Sequence, residues 1–413
     1  MPTTTKDALA AALGADNVRD GAEPDEVCGV RPQWVATVDS TERASAAMKV
    51  AAEHGLRVVP KGSGSKLDWG AAPTAVDLLL DVSAATGIVE HAAGDLVVHA
   101  LAGTPIAEVG KTVRAAGQQL AIDQPLPTAT VGGVVATGTS GPCRHLFGGV
   151  RDLLIGITVV RADGTVTTAG GKVVKNVAGY DIGKLYTGSF GTLGVITEAV
   201  FRLHPVAAEH RWISATTTDP ATAGALADEI RHSQAVPTAI ELDRPRPDGP
   251  ITVCAQLEGR PTATHDRAAE LAAALGHGAR VLEQAPEWWG SHPFEPAGTG
   301  VRVAAEPAKL PHLLAAVQDA ADGLPVTTRG AAGLGVLHAG LPADTEPAAV
   351  AALVTALRAR CEYAVVERAP RAVLAEIDPW GPVAPGLLTL MRRTKDQFDP
   401  EHRLAPGRFV GGI

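Results

Sequence analysis

Glycine constrains the first half of this chain more than any other residue type. Residues 58–70 read VVPKGSGSKLDWG, an apolar run that breaks into Lys61-Gly62-Ser63-Gly64-Ser65-Lys66. Glycine permits positive φ and lets another backbone or a ligand approach closely. Successive amide N–H groups in such a loop form a concavity suited to anions. An ordinary surface turn uses the same residues, so this loop alone decides nothing. Two further segments, PTATVGGVVATGTSGP at 127–142 and GSFGTLGVITE at 188–198, are as rich in small residues. Gly132, Gly133, Ala136 and Gly138 leave room for a flat or extended ligand. A Walker A loop requires GxxxxGK followed by Ser or Thr, which Gly62 to Lys66 does not supply. A GxGxxG turn fails at its last position, where Leu67 stands. Three such segments in one mixed half suit a long ligand, such as a dinucleotide, better than a single phosphate.

The surrounding pattern predicts helices and strands in alternation. Residues 40–56 read as a helix capped by Ser40 or Thr41 and ended by Gly55. Short apolar runs at 57–59, 77–81 and 96–100 read as strands. Pro105 is expected at the first turn of a helix whose buried face is Ile106, Val109 and Val113. LIGITVVRADGTVTTAGG reads as a hairpin about Ala162-Asp163-Gly164, and a long strand runs to His204. From about 206 to 375, strands such as 251–254 alternate with helices at 263–276, 307–321 and 346–360, a separate α+β domain. The tail carries an amphipathic helix followed by Pro406-Gly407-Arg408, expected to return to the first domain.

Composition narrows the function classes. The 413 residues are 46% hydrophobic and 20% charged, with a formal net charge of −9 and no long basic run, which argues against nucleic acid as a partner. Cys28, Cys143, Cys254 and Cys361 are too scattered to ligate zinc or an iron–sulfur cluster, and sparse cysteine fits a reducing compartment. The N-terminus reads as a capped helix and not as a signal peptide, and no apolar run approaches a membrane span.

The segments Val58-Val59-Pro60-Lys61-Gly62-Ser63-Gly64, Thr130-Val131-Gly132-Gly133 and Gly191-Thr192-Leu193-Gly194-Val195-Ile196-Thr197 resemble the PCMH-type FAD domain of the vanillyl-alcohol oxidase family. Three longer pieces, SGPCRHLFGGVRDLLIGITVV, GGKVVKNVAGYDIGKLYTGSFGTLGVITEAVFRLHP and RRTKDQFDPEHRLAPGR, resemble the smaller flavin subunit of bacterial glycolate oxidase. The likeness implies an α+β fold. A helical segment at 1–29 precedes a two-subdomain FAD domain at 30–205. A smaller α+β cap occupies 206–375, and the C-terminal segment 376–413 packs on the FAD domain.

The resemblance also places the cofactor. Lys61, Gly62, Ser63, Gly64 and Ser65, flanked by Pro60 and Lys66, would offer N–H groups to the FAD pyrophosphate. Thr130, Gly132 and Gly133 would contact pyrophosphate and flavin, with Ala136, Thr137 and Gly194 beside them. Ser140 and Gly141 would lie near the isoalloxazine edge, and Ile196 would meet the cofactor through its backbone. Some relatives tether the flavin through a histidine in the first loop; residues 61–67 contain none, so the expectation is non-covalent FAD.

Oxidising a 2-hydroxy acid needs a cation for the carboxylate and a base for the hydroxyl proton. Related dehydrogenases carry a metal-binding Gly-His-x-Gly-Asp-Gly-Asn-x-His sequence. The matching stretch, GLGVLHAGLPAD at 333–344, keeps only His338, so no metal site is expected. The resemblance then implies a subunit that passes electrons between a sister flavin subunit and an iron–sulfur subunit. It implies a cytoplasmic location, with any membrane attachment made through partners. A self-sufficient dehydrogenase for glycolate or D-lactate, and a structural subunit without flavin, are the alternatives. The catalytic residues are open: Lys175, Tyr180, Arg144 and His145 are candidates, each also readable as structural. Arg151-Asp152 reads as substrate contact or salt bridge, Trp288-Trp289 with His292-Pro293-Phe294 as partner patch, cap over the flavin or buried core, and Arg392-Arg393-Lys395 as a solvated helix face or docking site.

Overall fold

The computed structural model describes residues 4–172 and 180–413, which divide into two compact units. The first unit comprises 1–139, 149–205 and 382–413; the second comprises 140–148 and 206–381.

Two sheets build the first unit. In the four-stranded sheet Trp34–Thr37, Leu78–Asp81 and Val58–Lys61 run parallel, and Val18–Asp20 adds an antiparallel edge beside Trp34–Thr37. The N-terminal segment is therefore part of this unit. Its helix Thr5–Leu13 starts at a reciprocal cap between Thr4 and Asp7. The helix Thr41–Glu53 begins as expected, with Ser40 Oγ accepting from Arg43 N, and buries Ala44, Ala47, Met48 and Ala51 against Leu78 and Leu80. The second sheet is antiparallel, in the order Ile88–Ala92, Val97–Leu101, Val195–Arg202, Leu154–Val160, Val166–Gly170. The last two strands are the expected hairpin. One detail differs: Pro105 is the N-cap and not the first helical residue of Ile106–Arg114, because its ψ of 131° is extended.

The C-terminal segment belongs to the first unit. Val58 N donates to Arg403 O, and Ala405 N donates to Val58 O, so residues 403–405 run beside the strand Val58–Lys61. Lys395, on the helix Pro385–Phe398, is fully buried and donates to Asp399 Oδ2 (2.6 Å), Thr192 O (2.7 Å) and Leu404 O (2.9 Å). The reading of Lys395 as part of a solvated face is thus corrected. The local sequence cannot reveal a lysine whose charge is met by Asp399 and by the carbonyls of Thr192 and Leu404 inside the fold.

The second unit is one eight-stranded antiparallel sheet with helices Pro220–His232, Pro261–Leu275, Leu310–Ala321 and Pro347–Arg360 packed on one face. Strand alternation sends Ile240, Val253, Leu337, Val301 and Val366 into that core. The opposite face is polar, and register builds a row across it: Asp243 pairs with Arg329, Arg329 with His338, and His338 with Arg302.

Candidate functional site

The first unit contains a cleft of roughly 680 Å³, lined by the loop 60–67, by residues in 130–137 and 190–196, and by Val82 and Arg408. The three glycine-rich segments therefore converge. Gly62 fits because it has no side chain: a Cβ there would stand 2.3 Å from Thr130 Oγ1. That hydroxyl is held by its own contact with Gly133 N at 3.4 Å. Gly64 turns the loop at φ +83°.

The cleft is basic. Lys61 pairs with Asp81, whose carboxylate also accepts from Ser83 N. Lys66 is 8% exposed, donates to Thr139 Oγ1 at 3.3 Å and lies over the Trp69 ring. Arg408, 4% exposed, donates to Leu67 O (2.9 Å) and Trp69 O (2.7 Å). Burial pushes its guanidinium below its ordinary pKa, a cost that an anion bound in the cleft would offset. Two buried cations around a glycine loop, with Val82, Leu67 and Ile196 as apolar wall, suit a diphosphate joined to flat rings.

Pro60 to Lys66, Thr130, Gly132, Gly133, Ala136, Thr137, Gly194 and Ile196 all line the cleft. Ser140 and Gly141 do not: they belong to the short piece 140–148 of the second unit. Arg408 was missed; only its place after Pro406-Gly407 hinted at it. Of the catalytic candidates, Lys175 lies outside the described residues. Tyr180 is 93% exposed, and Arg144 is exposed in the second unit. His145 packs against Gly333, where a Cβ would stand 2.8 Å from its ring, and burial lowers its pKa, keeping the imidazole neutral. Asp152 accepts from Gly149 N as a helix cap.

The second unit holds a cluster the sequence did not reveal. His292, His338 and Glu367 bring one donor atom each to within 4.8 Å of one another. His338 Nδ1 and Glu367 Oε2 are 2.9 Å apart. Glu367 Oε1 faces Arg302 at 3.4 Å. Burial alone would raise the Glu367 carboxyl, but the charges of His338 and Arg302 outweigh it and hold its pKa at about 2. Within 333–344 His338 is the one histidine, and its neighbours His292 and Glu367 come from outside that stretch.

Residues 32–170 match the FAD binding domain family. They are an FAD-binding domain. Glycolate oxidase subunit GlcD of Bacillus subtilis is 31% identical over 216 residues, 52% of this chain and 46% of that protein. Subunit GlcE of Escherichia coli is 40% identical over 150 residues, covering 36% and 42%. A D-lactate dehydrogenase of Archaeoglobus fulgidus is 34% identical over 171 residues, covering 41% and 38%. The chain spans less than half the length of each of these relatives. Among solved structures, p-cresol methylhydroxylase shares the fold, with a TM-score of 0.75 at 16% identity over 98% of this chain and 96% of the other. The FAD-binding domain contributes every described residue that lines the cleft except those of the turn 190–196 and Arg408.

Proposed function

We propose that this chain is an FAD-dependent oxidoreductase acting on a small 2-hydroxy acid, as the flavin-carrying subunit of a glycolate oxidase-like assembly. The basic glycine cradle of Lys61 to Lys66 with Arg408 carries the reading. The chemistry FAD supplies when bound is acceptance of a hydride equivalent. The chain's own residues hold it: the loop 61–65 and Arg408 bind the diphosphate, and Ile196 and Val82 exclude water beside the rings. No histidine, cysteine or tyrosine is among the described residues lining the cleft, which favours non-covalent attachment. Acid precipitation should then release the flavin into the supernatant. A sister flavin subunit and an iron–sulfur subunit would exchange electrons with this chain, which has no cysteine cluster of its own. The four cysteines form no disulfide, which fits the reducing side of a membrane, and no helix among the described residues is long and apolar enough to cross one.

A second reading, a self-sufficient 2-hydroxy-acid dehydrogenase, is favoured by the donors His292, His338 and Glu367. One experiment separates the two. The purified chain, loaded with FAD, is mixed anaerobically with glycolate or D-lactate while its absorbance near 450 nm is followed. Bands that stay oxidised until the partner subunits are added support the subunit. Bleaching of the chain alone makes it a complete dehydrogenase. Absence of flavin bands from folded, FAD-supplemented protein defeats both.

A further inference from the structure

The first unit has a second hollow, of roughly 710 Å³, a size usual for small-molecule sites. The hairpin strands Leu154–Val160 and Val166–Gly170 form its floor, and the helices Gly183–Tyr186 and Pro385–Phe398 border it. Strand alternation decides what the floor presents. Ile157 pairs with Ala169 and Val159 with Thr167, so these four side chains share one face. Ile182, Tyr186 and Phe398 add apolar walls. Tyr186 is buried and meets Phe398 edge-on, with ring centroids 5.5 Å apart. Burial pushes its phenol pKa up, so the ring stays neutral.

One charge interrupts this apolar lining. Arg161 directly follows the strand Leu154–Val160 and continues the alternation of Ile157 and Val159. Its Nη2 donates to Gln397 O at a long 3.4 Å, and its Nε is buried with no hydrogen-bond partner. Asp163, in the adjoining turn, already accepts from Thr165 N at 2.9 Å. A buried guanidinium N–H without an acceptor is costly, and the planar fork of arginine matches a carboxylate. From Arg161 to Ile157 the chain advances about 13 Å. An acid held at Arg161 therefore lays its tail along Val159 and Ile157. Inorganic phosphate would meet the arginine and leave the apolar floor unused; a neutral apolar molecule would do the reverse.

The hollow also reaches the wall of the FAD cleft. Gly194 and Ile196 line that cleft. A Cβ on Gly194 would stand 2.3 Å from Val159 Cγ1 and 3.1 Å from the Tyr186 ring, and both of those residues line the hollow. Val159 is also the cross-strand partner of Ile196. A ligand that shifts Val159 or Tyr186 thus acts on Gly194, which has no room to spare on that side.

We infer that this hollow binds a monocarboxylate with an apolar tail, its carboxylate on Arg161 and its tail along Val159 and Ile157, and that its occupancy is coupled to FAD binding through Gly194. Sequence reading passed over the site because Arg161 looks like an ordinary turn residue, and Gln397 joins it from 236 residues away.

The test titrates full-length protein with octanoate by calorimetry, once saturated with FAD and once stripped of it. The expected result is one site per chain. Octanamide, which keeps the tail and loses the charge, should bind more than about tenfold more weakly. Arg161→Gln should weaken octanoate binding by about tenfold or more, and Ala169→Leu, which fills the hollow from the edge strand, should do the same. Neither residue lines the FAD cleft, so both variants should hold wild-type flavin at saturating FAD, which also shows that they fold. The octanoate constant should differ at least about fivefold between FAD-bound and stripped protein, and octanoate should shift the FAD constant by the same factor. No binding up to about 10 mM octanoate, or octanamide binding as tightly, overturns the site. Wild-type octanoate affinity in folded Arg161→Gln or in folded Ala169→Leu overturns it as well, so the loss of one variant to misfolding leaves the other to decide. Equal octanoate constants with and without FAD overturn the coupling. The outcome is independent of the substrate reading, because octanoate is titrated whether or not a hydroxy acid bleaches the flavin.

Discussion

Arg408 shows how one residue joins sequence-distant parts into a binding surface. Its guanidinium reaches Leu67 O across 341 residues of sequence and lines the cleft beside the glycine loop. It does two jobs, holding the end of the loop through two carbonyls and placing positive charge where a diphosphate is expected. Arg408→Met should raise the dissociation constant for FAD by about 10–100-fold, the effect of losing a hydrogen bond to a charged group worth about 1.5–3 kcal/mol. Arg408→Lys, which keeps the charge but not the planar fork, should fall between. Titration of stripped protein with FAD, followed by fluorescence quenching, gives both constants. An unchanged constant in folded Arg408→Met would remove Arg408 from the cofactor site. Lys61 and Lys66 were legible as cleft residues because the signal is local: charge and glycine sit within seven residues. Arg408 and His292 were not, because each acquires its neighbours only when distant strands pair. His145 was singled out for the opposite reason; a histidine after a glycine-rich loop looks functional until its ring is found packed against Gly333.

At the scale of elements, caps and periodicity were readable and strand ends were not. Ser40, Gly55 and the face Ile106, Val109, Val113 behave as their spacing implies. Strand ends depend on pairing. The strand Val58–Lys61 lies parallel to Leu78–Asp81, and their starts are joined by a side chain. Asp77 accepts from the Arg57 backbone N–H (2.8 Å) and from both Nε (2.7 Å) and Nη2 (2.8 Å) of the Arg57 guanidinium. The bonds from Arg57 hold the Asp77 carboxyl below its usual pKa. The sign follows from linkage. A carboxyl with a depressed folded pKa releases its proton more readily in the native state, so it adds stability above the unfolded value of about 3.9. That contribution is lost as pH falls through the lowered folded value. Thermal scans should therefore show wild type more stable than Asp77→Asn by a constant margin above about pH 5. The margin should shrink as pH falls below about 4. Arg57 is half exposed, so the margin is modest and salt-sensitive. A margin that grows on acidification would contradict the pairing.

The whole molecule is not a string of consecutive domains, and this was the hardest property to read from composition. The first unit takes its last piece from 382–413, and the second takes a short piece from 140–148. A boundary near 205 is visible because patterning changes there, whereas the return of 382–413 leaves no mark in periodicity and was expected only from the family resemblance of the tail. Its attachment is specific: residues 403–405 continue the backbone bonding of Val58, and the buried Lys395 ties the helix Pro385–Phe398 to Thr192 beside the cleft. Removing one partner of a buried, hydrogen-bonded ion pair costs about 3–5 kcal/mol, so the segment is a structural member of the FAD-binding unit. Ending the chain after Gly381 removes Arg408 from the cleft, Lys395 from Thr192 and the backbone partners of Val58 in one step. The second unit should survive, because every residue of its main core lies between Ile213 and Val373. The truncated chain should therefore bind FAD at least about 100-fold more weakly, a loss of about 2.7 kcal/mol. Limited proteolysis should leave a resistant fragment beginning near residue 206, while residues before it are digested. Lys395→Met in the full chain should reproduce part of the FAD loss without releasing that fragment, since residues 403–408 remain. If the truncated chain kept wild-type FAD affinity, the C-terminal segment would be an ornament on a cofactor site that residues 60–67, 130–137 and 190–196 complete alone.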